Sequence, residues 1–223
     1  MLVINILLLN EYRKDDARTM VDQETKRSAR ERAARIIRGI TVPPLLVSVL
    51  FILLFVFKEG VFSSPVELVL SLLFLVGIPL AAYPLSYVVP KLRRKGREAQ
   101  RKLAFALNFI GYLGAVVYGI VAQVSAALFL IFLTYFVSVL ILLLCNNVIR
   151  IRASGHACGT MGPLIFLVYF TGPYGIIPCV GIAISVAWSS IHLKRHTPRE
   201  LILGALSALA AFLVSLFVVG LLL

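Results

Sequence analysis

From Ile40 to the C-terminus, long apolar runs alternate with short polar connections. Within the runs no polar stripe recurs every three or four positions, as it would on a half-buried helix of a soluble domain. A bilayer core takes about 20 consecutive apolar residues per helix. The pattern predicts spans over 40–57, 66–89, 103–122, 124–145, 157–172, 175–191 and 199–222. The expected fold is all-α, a polytopic membrane bundle of about six to seven transmembrane helices. The fifth span is short: at ~1.5 Å per residue it covers about 24 Å against the usual ~30 Å. The "TGPYG" that follows at 171–175 is therefore expected to turn near or inside the far interface.

Residues 1–39 differ from the rest. Met1 to Asn10 is apolar but too short to span, and it lacks the basic start and small-residue cleavage site of a signal peptide. An interfacial anchor and an unstructured end are both open readings. The stretch "RKDDARTMVDQETKRSARERAARIIRG" mixes both signs among good helix formers. It reads as a helix lying on the cytoplasmic membrane surface, or as a solvated tail. The chain thus divides into a basic amphipathic segment, 1–39, and a transmembrane domain, 40–223.

Composition adds orientation. A chain that is 60% hydrophobic and 14% charged is not an ordinary soluble domain. Of its 22 Lys and Arg, nine lie between Arg13 and Arg38 and seven between Lys91 and Lys102. With seven spans these fall on one side together with Arg150, Arg152, Lys194, Arg195 and Arg199, and Lys58 alone falls on the other. Basic residues near helix ends mark the cytoplasmic face. The net charge of +12 is accounted for by topology and by attraction to anionic lipid headgroups, not by nucleic acid. Cys145, Cys158 and Cys179 are isolated and form no C-x-x-C pair, so they are read as small apolar residues.

The polar residues of the apolar region are concentrated. After Glu98 the only acid is Glu200, and all three histidines belong to two clusters. Polar groups at membrane depth are costly, which makes such clusters candidate sites. The first is "NNVIRIRASGHACGTMGP", 146–163. Ser154 and Gly155 precede a helix start whose free N–H groups favour an anion, and Arg150 and Arg152 supply phosphate donors. An N-cap serine, a flexible glycine and two topogenic arginines explain the same residues without a ligand.

The second cluster is "SSIHLKRHTPRE", 189–200. His196 and Glu200 are four apart, so on a helix the carboxylate holds one imidazole nitrogen and leaves the other free. Thr197-Pro198-Arg199-Glu200 is equally a capping box, and the two roles are compatible. An even number of spans separates the clusters, so they share a membrane face. Two histidines beside arginines and a helix N-terminus suit phosphoryl transfer, with one imidazole attacking phosphorus and the other protonating the leaving oxygen. That chemistry needs no metal or cofactor.

These residues resemble the type 2 phosphatidic acid phosphatase superfamily, whose signatures are K-x6-R-P, P-S-G-H and S-R-x5-H-x3-D. "ASGH" at 153–156 is similar to the second and "SSIHLKRHTPRE" to the third, with S-x6-H-x3-E spacing. The likeness covers the C-terminal third, from Asn146 on. It implies that His196 is the nucleophile, Glu200 its orienting carboxylate and His156 the general acid. Arg150, Arg152, Ser154, Gly155, Ser189 and Arg195 are then the phosphate-binding candidates. Ser190 stands where the family has arginine, Ala153 where it has proline, and K-x6-R-P is missing. Arg152 is expected to replace the lysine, and Arg195 or Lys194 the arginine. The family core has three spans before these motifs, whereas the pattern here predicts four.

The resemblance implies a lipid phosphatase that acts at the headgroup level on a phosphatidyl or isoprenoid phosphate or diphosphate, through a phosphohistidine. The predicted site lies on the cytoplasmic face of the cell membrane. A non-catalytic protein that binds anionic headgroups and a small-solute transporter are the alternatives.

Overall fold

The computed structural model describes residues 28–222, and it is a helical bundle with no β-strand among those residues. Helix α1, Ser28–Ile40, bends by 52° into α2, Pro43–Phe57. Then α3, Pro65–Leu72, passes through a π turn at Leu73–Gly77 and the single turn α4, Ile78–Leu80, to α5, Ala82–Val88. Helix α6 is Pro90–Val121 and α7 is Ala126–Leu143, the latter ending in a second π turn, Leu144–Val148. The last three are α8, Gly155–Thr171; α9, Ile176–His192; and α10, Pro198–Leu222. The expectation for Met1–Asn10, and most of that for 13–39, lies outside the described residues.

The helix starts follow local chemistry. Ser64, Ser125 and Ser154 each accept the backbone N–H three residues on, at Glu67, Leu128 and Ala157, and Thr197 accepts that of Glu200. Proline occupies the first positions of α2, α3, α6 and α10, where a missing N–H costs nothing. At α3 Glu67 also reaches back, its Oε2 accepting the N–H of Ser63, one residue before the cap, at 2.7 Å.

Five helical segments are long and apolar enough to cross a membrane, and a sixth is obtained if α1 and α2 count as one broken span. One of the five, Gly155–His192, is a 38-residue run. Laid straight it would reach about 57 Å at ~1.5 Å per residue. It does not lie straight, because the Ser154 N–H before it meets the Glu200 carbonyl after it at 2.9 Å. The reversal falls in the 3-10 turn Gly172–Gly175, where Gly172 adopts a φ of 65°. This is the turn expected from "TGPYG". Each arm has 17 residues, about 25 Å at ~1.5 Å per residue.

Helix α7 runs through the middle and buries Leu128, Ile131, Phe132 and Tyr135. Helix α10 packs on α7 and α8, α6 packs on α7, and α2 packs on α8. Around this core the helices expose apolar residues such as Val121, Ile177 and Phe217. In water that would be a liability, but hydrocarbon is the natural solvent for such a surface.

The α8–α10 seam depends on a missing side chain. A Cβ at Gly204 would collide with the Ser154 carbonyl and lie 3.1 Å from the Ala157 Cβ. Gly204→Ala is expected to lose roughly 1–3 kcal/mol through overpacking, read as a lower melting temperature in detergent. Gly181→Ala, with nothing within 4 Å of the new carbon, is the control and should melt no lower than the parent.

Candidate active site

The first cluster is held by its own backbone and one asparagine. Asn146 donates through Nδ2 to the Leu142 carbonyl at 2.9 Å, and its Oδ1 accepts the Ala153 N–H at 3.0 Å. The Ile151 N–H closes on the Cys145 carbonyl at 2.9 Å, and Arg150 takes a left-handed φ of 58°. These bonds turn the chain out of α7 and deliver Ala153 and Ser154 to the start of α8. His156 then sits in the first turn of α8.

The second cluster folds onto the first. The Arg195 N–H bonds the Ser190 carbonyl at 3.0 Å and the Lys194 N–H bonds that of Ile191 at 2.9 Å, which reverses the chain after α9. Thr197 caps α10, and the carboxylate of Glu200 faces two partners. Its Oε2 lies 2.8 Å from His196 Nδ1 and its Oε1 lies 3.5 Å from Arg152 Nε. A carboxylate accepts only, so Nδ1 of His196 carries a proton, which in the neutral ring leaves the lone pair on Nε2. The Thr197 cap and the His196–Glu200 contact therefore coexist in "HTPRE".

His156 and His196 line one cavity of about 400 Å³. Arg152 and Gly155, two of the expected phosphate ligands, share its wall with Ala153. Arg38 from α1 and Arg101 from α6 also line it, and the sequence reading assigned neither to the site. The cavity continues inward past Leu75 and Leu142 to Tyr112 and Tyr135. Nε2 of His156 is buried and has no hydrogen-bond partner among the described residues. A buried imidazole nitrogen without a partner is rare and costly, and a ligand oxygen is one way to satisfy it.

Four expected phosphate ligands lie elsewhere. The Ser154 hydroxyl is buried and occupied in capping α8, and Ser189, fully buried, donates to the Val186 carbonyl at 3.0 Å. Arg150 lines an adjoining groove of about 870 Å³, which shares Arg101, Phe105 and Arg152 with the cavity. Arg195 is exposed and is not among the cavity's lining residues. His192 stacks on Trp188 with ring centres 5.3 Å apart.

Arg38 takes the place at Ser190 instead. Its Nη1 donates to Ser190 Oγ at 3.0 Å, across 152 residues of chain. Burial first, and then the like charge of Arg195, lower the pKa of Arg38 from the usual arginine value. Nothing in the spacing of residues 28–40 announced this contact. The available signal was only that Arg38 ends a basic helix immediately before a predicted span.

No family model, no curated protein and no solved structure matches this chain.

The hairpin makes a geometric prediction. Single cysteines at Asn147 and Lys194, in a background without Cys145, Cys158 and Cys179, should react with an impermeant maleimide from the same side of sealed vesicles. A cysteine at Tyr174, 90% exposed beside the reversal, should react from the opposite side.

Proposed function

We propose that this protein is a membrane lipid phosphatase that works through a phosphohistidine on His196. The observation that carries the reading is that His156 and His196, from opposite ends of the α8–α9 hairpin, line one arginine-walled cavity, with Glu200 2.8 Å from His196 Nδ1. It is supported by the likeness of "ASGH" and "SSIHLKRHTPRE" to two signatures of the type 2 phosphatidic acid phosphatase superfamily.

The steps follow from the groups present. Nε2 of His196 attacks phosphorus; a P–N bond forms as the P–O bond to the lipid breaks. His156 gives its proton to the departing oxygen. Water then attacks the phosphohistidine, losing a proton to His156 as the P–N bond breaks, and inorganic phosphate leaves. Glu200 stabilises the positive charge that develops on His196, and the arginines offset charge on the phosphoryl oxygens.

The substrate is an amphiphile whose phosphate enters the cavity while its tail stays in the bilayer, either a phosphatidyl or an isoprenoid phosphate or diphosphate. The concentration of basic residues at this end supports a cytoplasmic site, within reach of anionic headgroups.

Purified protein in mixed micelles should release inorganic phosphate from such lipids. His196→Ala is expected to lower the rate about a thousandfold or more, and His156→Ala by roughly 10²–10⁴. Phosphate release by His196→Ala at the parent's rate would falsify the assignment.

A further inference from the structure

We propose that Arg38 is the principal guanidinium for the phosphoryl group, and that Ser190 is the residue that positions it. The inference rests on the phosphatase reading for the nature of the anion. What it adds is that a helix outside both motif clusters completes the site.

Three observations carry it. First, Arg38 lines the cavity of His156 and His196, and its one hydrogen bond to a side chain among the described residues is to Ser190 Oγ. A guanidinium has five N–H donors, so most remain for a ligand. No carboxylate among the described residues forms an ion pair with it; the site's one acid, Glu200, faces Arg152 and His196 instead. A half-buried cation with no carboxylate partner among the described residues is unfavourable alone and is relieved by an anion.

Second, Arg38 is held in place from both sides. Ser190 is fully buried, so its hydroxyl is a fixed acceptor. The bend between α1 and α2 is anchored on α8 one turn past His156. There the Thr160 hydroxyl donates to the Thr41 carbonyl at 3.4 Å, and a Cβ at Gly159 would come within 2.8 Å of Pro43. The Thr41 hydroxyl donates back to Ile37 at 2.7 Å, stiffening the last turn of α1. Arg38 thus shares a rigid frame with His156, as a group that must meet a developing charge should.

Third, position 190 itself carries serine, which is too short to reach a phosphoryl oxygen with a charge. The hydrogen bond from Arg38 brings a charge to that point. Arg195, the nearer residue in sequence, spends its backbone N–H on the turn, and its side chain is exposed.

The test measures inorganic phosphate binding by calorimetry on full-length protein in detergent, with melting temperature as the check on folding. Arg38→Ala should weaken binding tenfold or more; a smaller change overturns the role of Arg38. If Arg38→Ala does not fold, Arg38→Lys decides: a threefold or greater loss supports the planar donor, and a smaller loss overturns it. Ser190→Ala should weaken binding threefold or more, and Arg38→Ala/Ser190→Arg should recover at least tenfold over Arg38→Ala. Failure of either removes Ser190 from the proposal. His196→Ala should still bind phosphate, because the arginines remain. A parent protein that binds no phosphate overturns both this assignment and the phosphatase reading. A parent that binds it, with an Arg38→Ala variant that binds equally well, overturns this assignment alone.

Discussion

Glu200 ties together the two halves of the site. Its backbone carbonyl accepts the Ser154 N–H at 2.9 Å, its own N–H is given to Thr197, and its carboxylate faces both His196 and Arg152. Two of these contacts, to Ser154 and Arg152, reach the segment before α8, and the two to Thr197 and His196 are local to the start of α10, so one residue joins the two starts. The hairpin of α8 and α9 closes at this point, and with it two imidazoles that are 40 positions apart in the chain come to a common cavity. A carboxylate at the edge of a hydrocarbon layer is expensive unless its charge is matched, and here each oxygen has a nitrogen opposite.

The seam is built for close approach. Gly204 lets α10 lie against the backbone at Ser154, and Gly159 lets α8 lie against Pro43. Without side chains at those two positions, the first turn of α8 is gripped by α10 on one side and by the α1–α2 bend on the other. His156 emerges from that turn, so its position is set by backbone packing and not by a flexible loop. Transmembrane helices associate by such packing because lipid offers no hydrophobic drive between them.

Charge completes the arrangement. Three arginines, from α1, α6 and the α7–α8 connection, converge on the cavity, and Glu200, the one acid beside it among the described residues, faces one of them. The remaining positive field favours an anion at the headgroup level of the bilayer. The apolar interior beyond it, toward Leu75 and Leu142, offers no comparable partner for charge.

The helical class and the turn at 171–175 were legible in the sequence, since each depends on local hydropathy or on glycine and proline backbone preferences. The seven predicted spans correspond to five segments long and apolar enough to cross a membrane, or six with the bent α1–α2 pair, because 157–172 and 175–191 form one run folded at the turn. The pairing of His196 with Glu200 was legible too, because the Thr197 cap holds His196 just outside α10, within reach of the carboxylate four residues on. The even count of spans also placed the two clusters at one end. Arg38 and Arg101 were not legible, nor was the withdrawal of Ser154 and Ser189 into backbone contacts. Arg38 meets Ser190 across 152 residues, and no periodicity reports a contact of that range. Which arginines face the cavity is set by the bend after Ile40 and by how helices rotate against their neighbours. That rotation is decided by side-chain interlocking across the bundle, and so by tertiary structure alone.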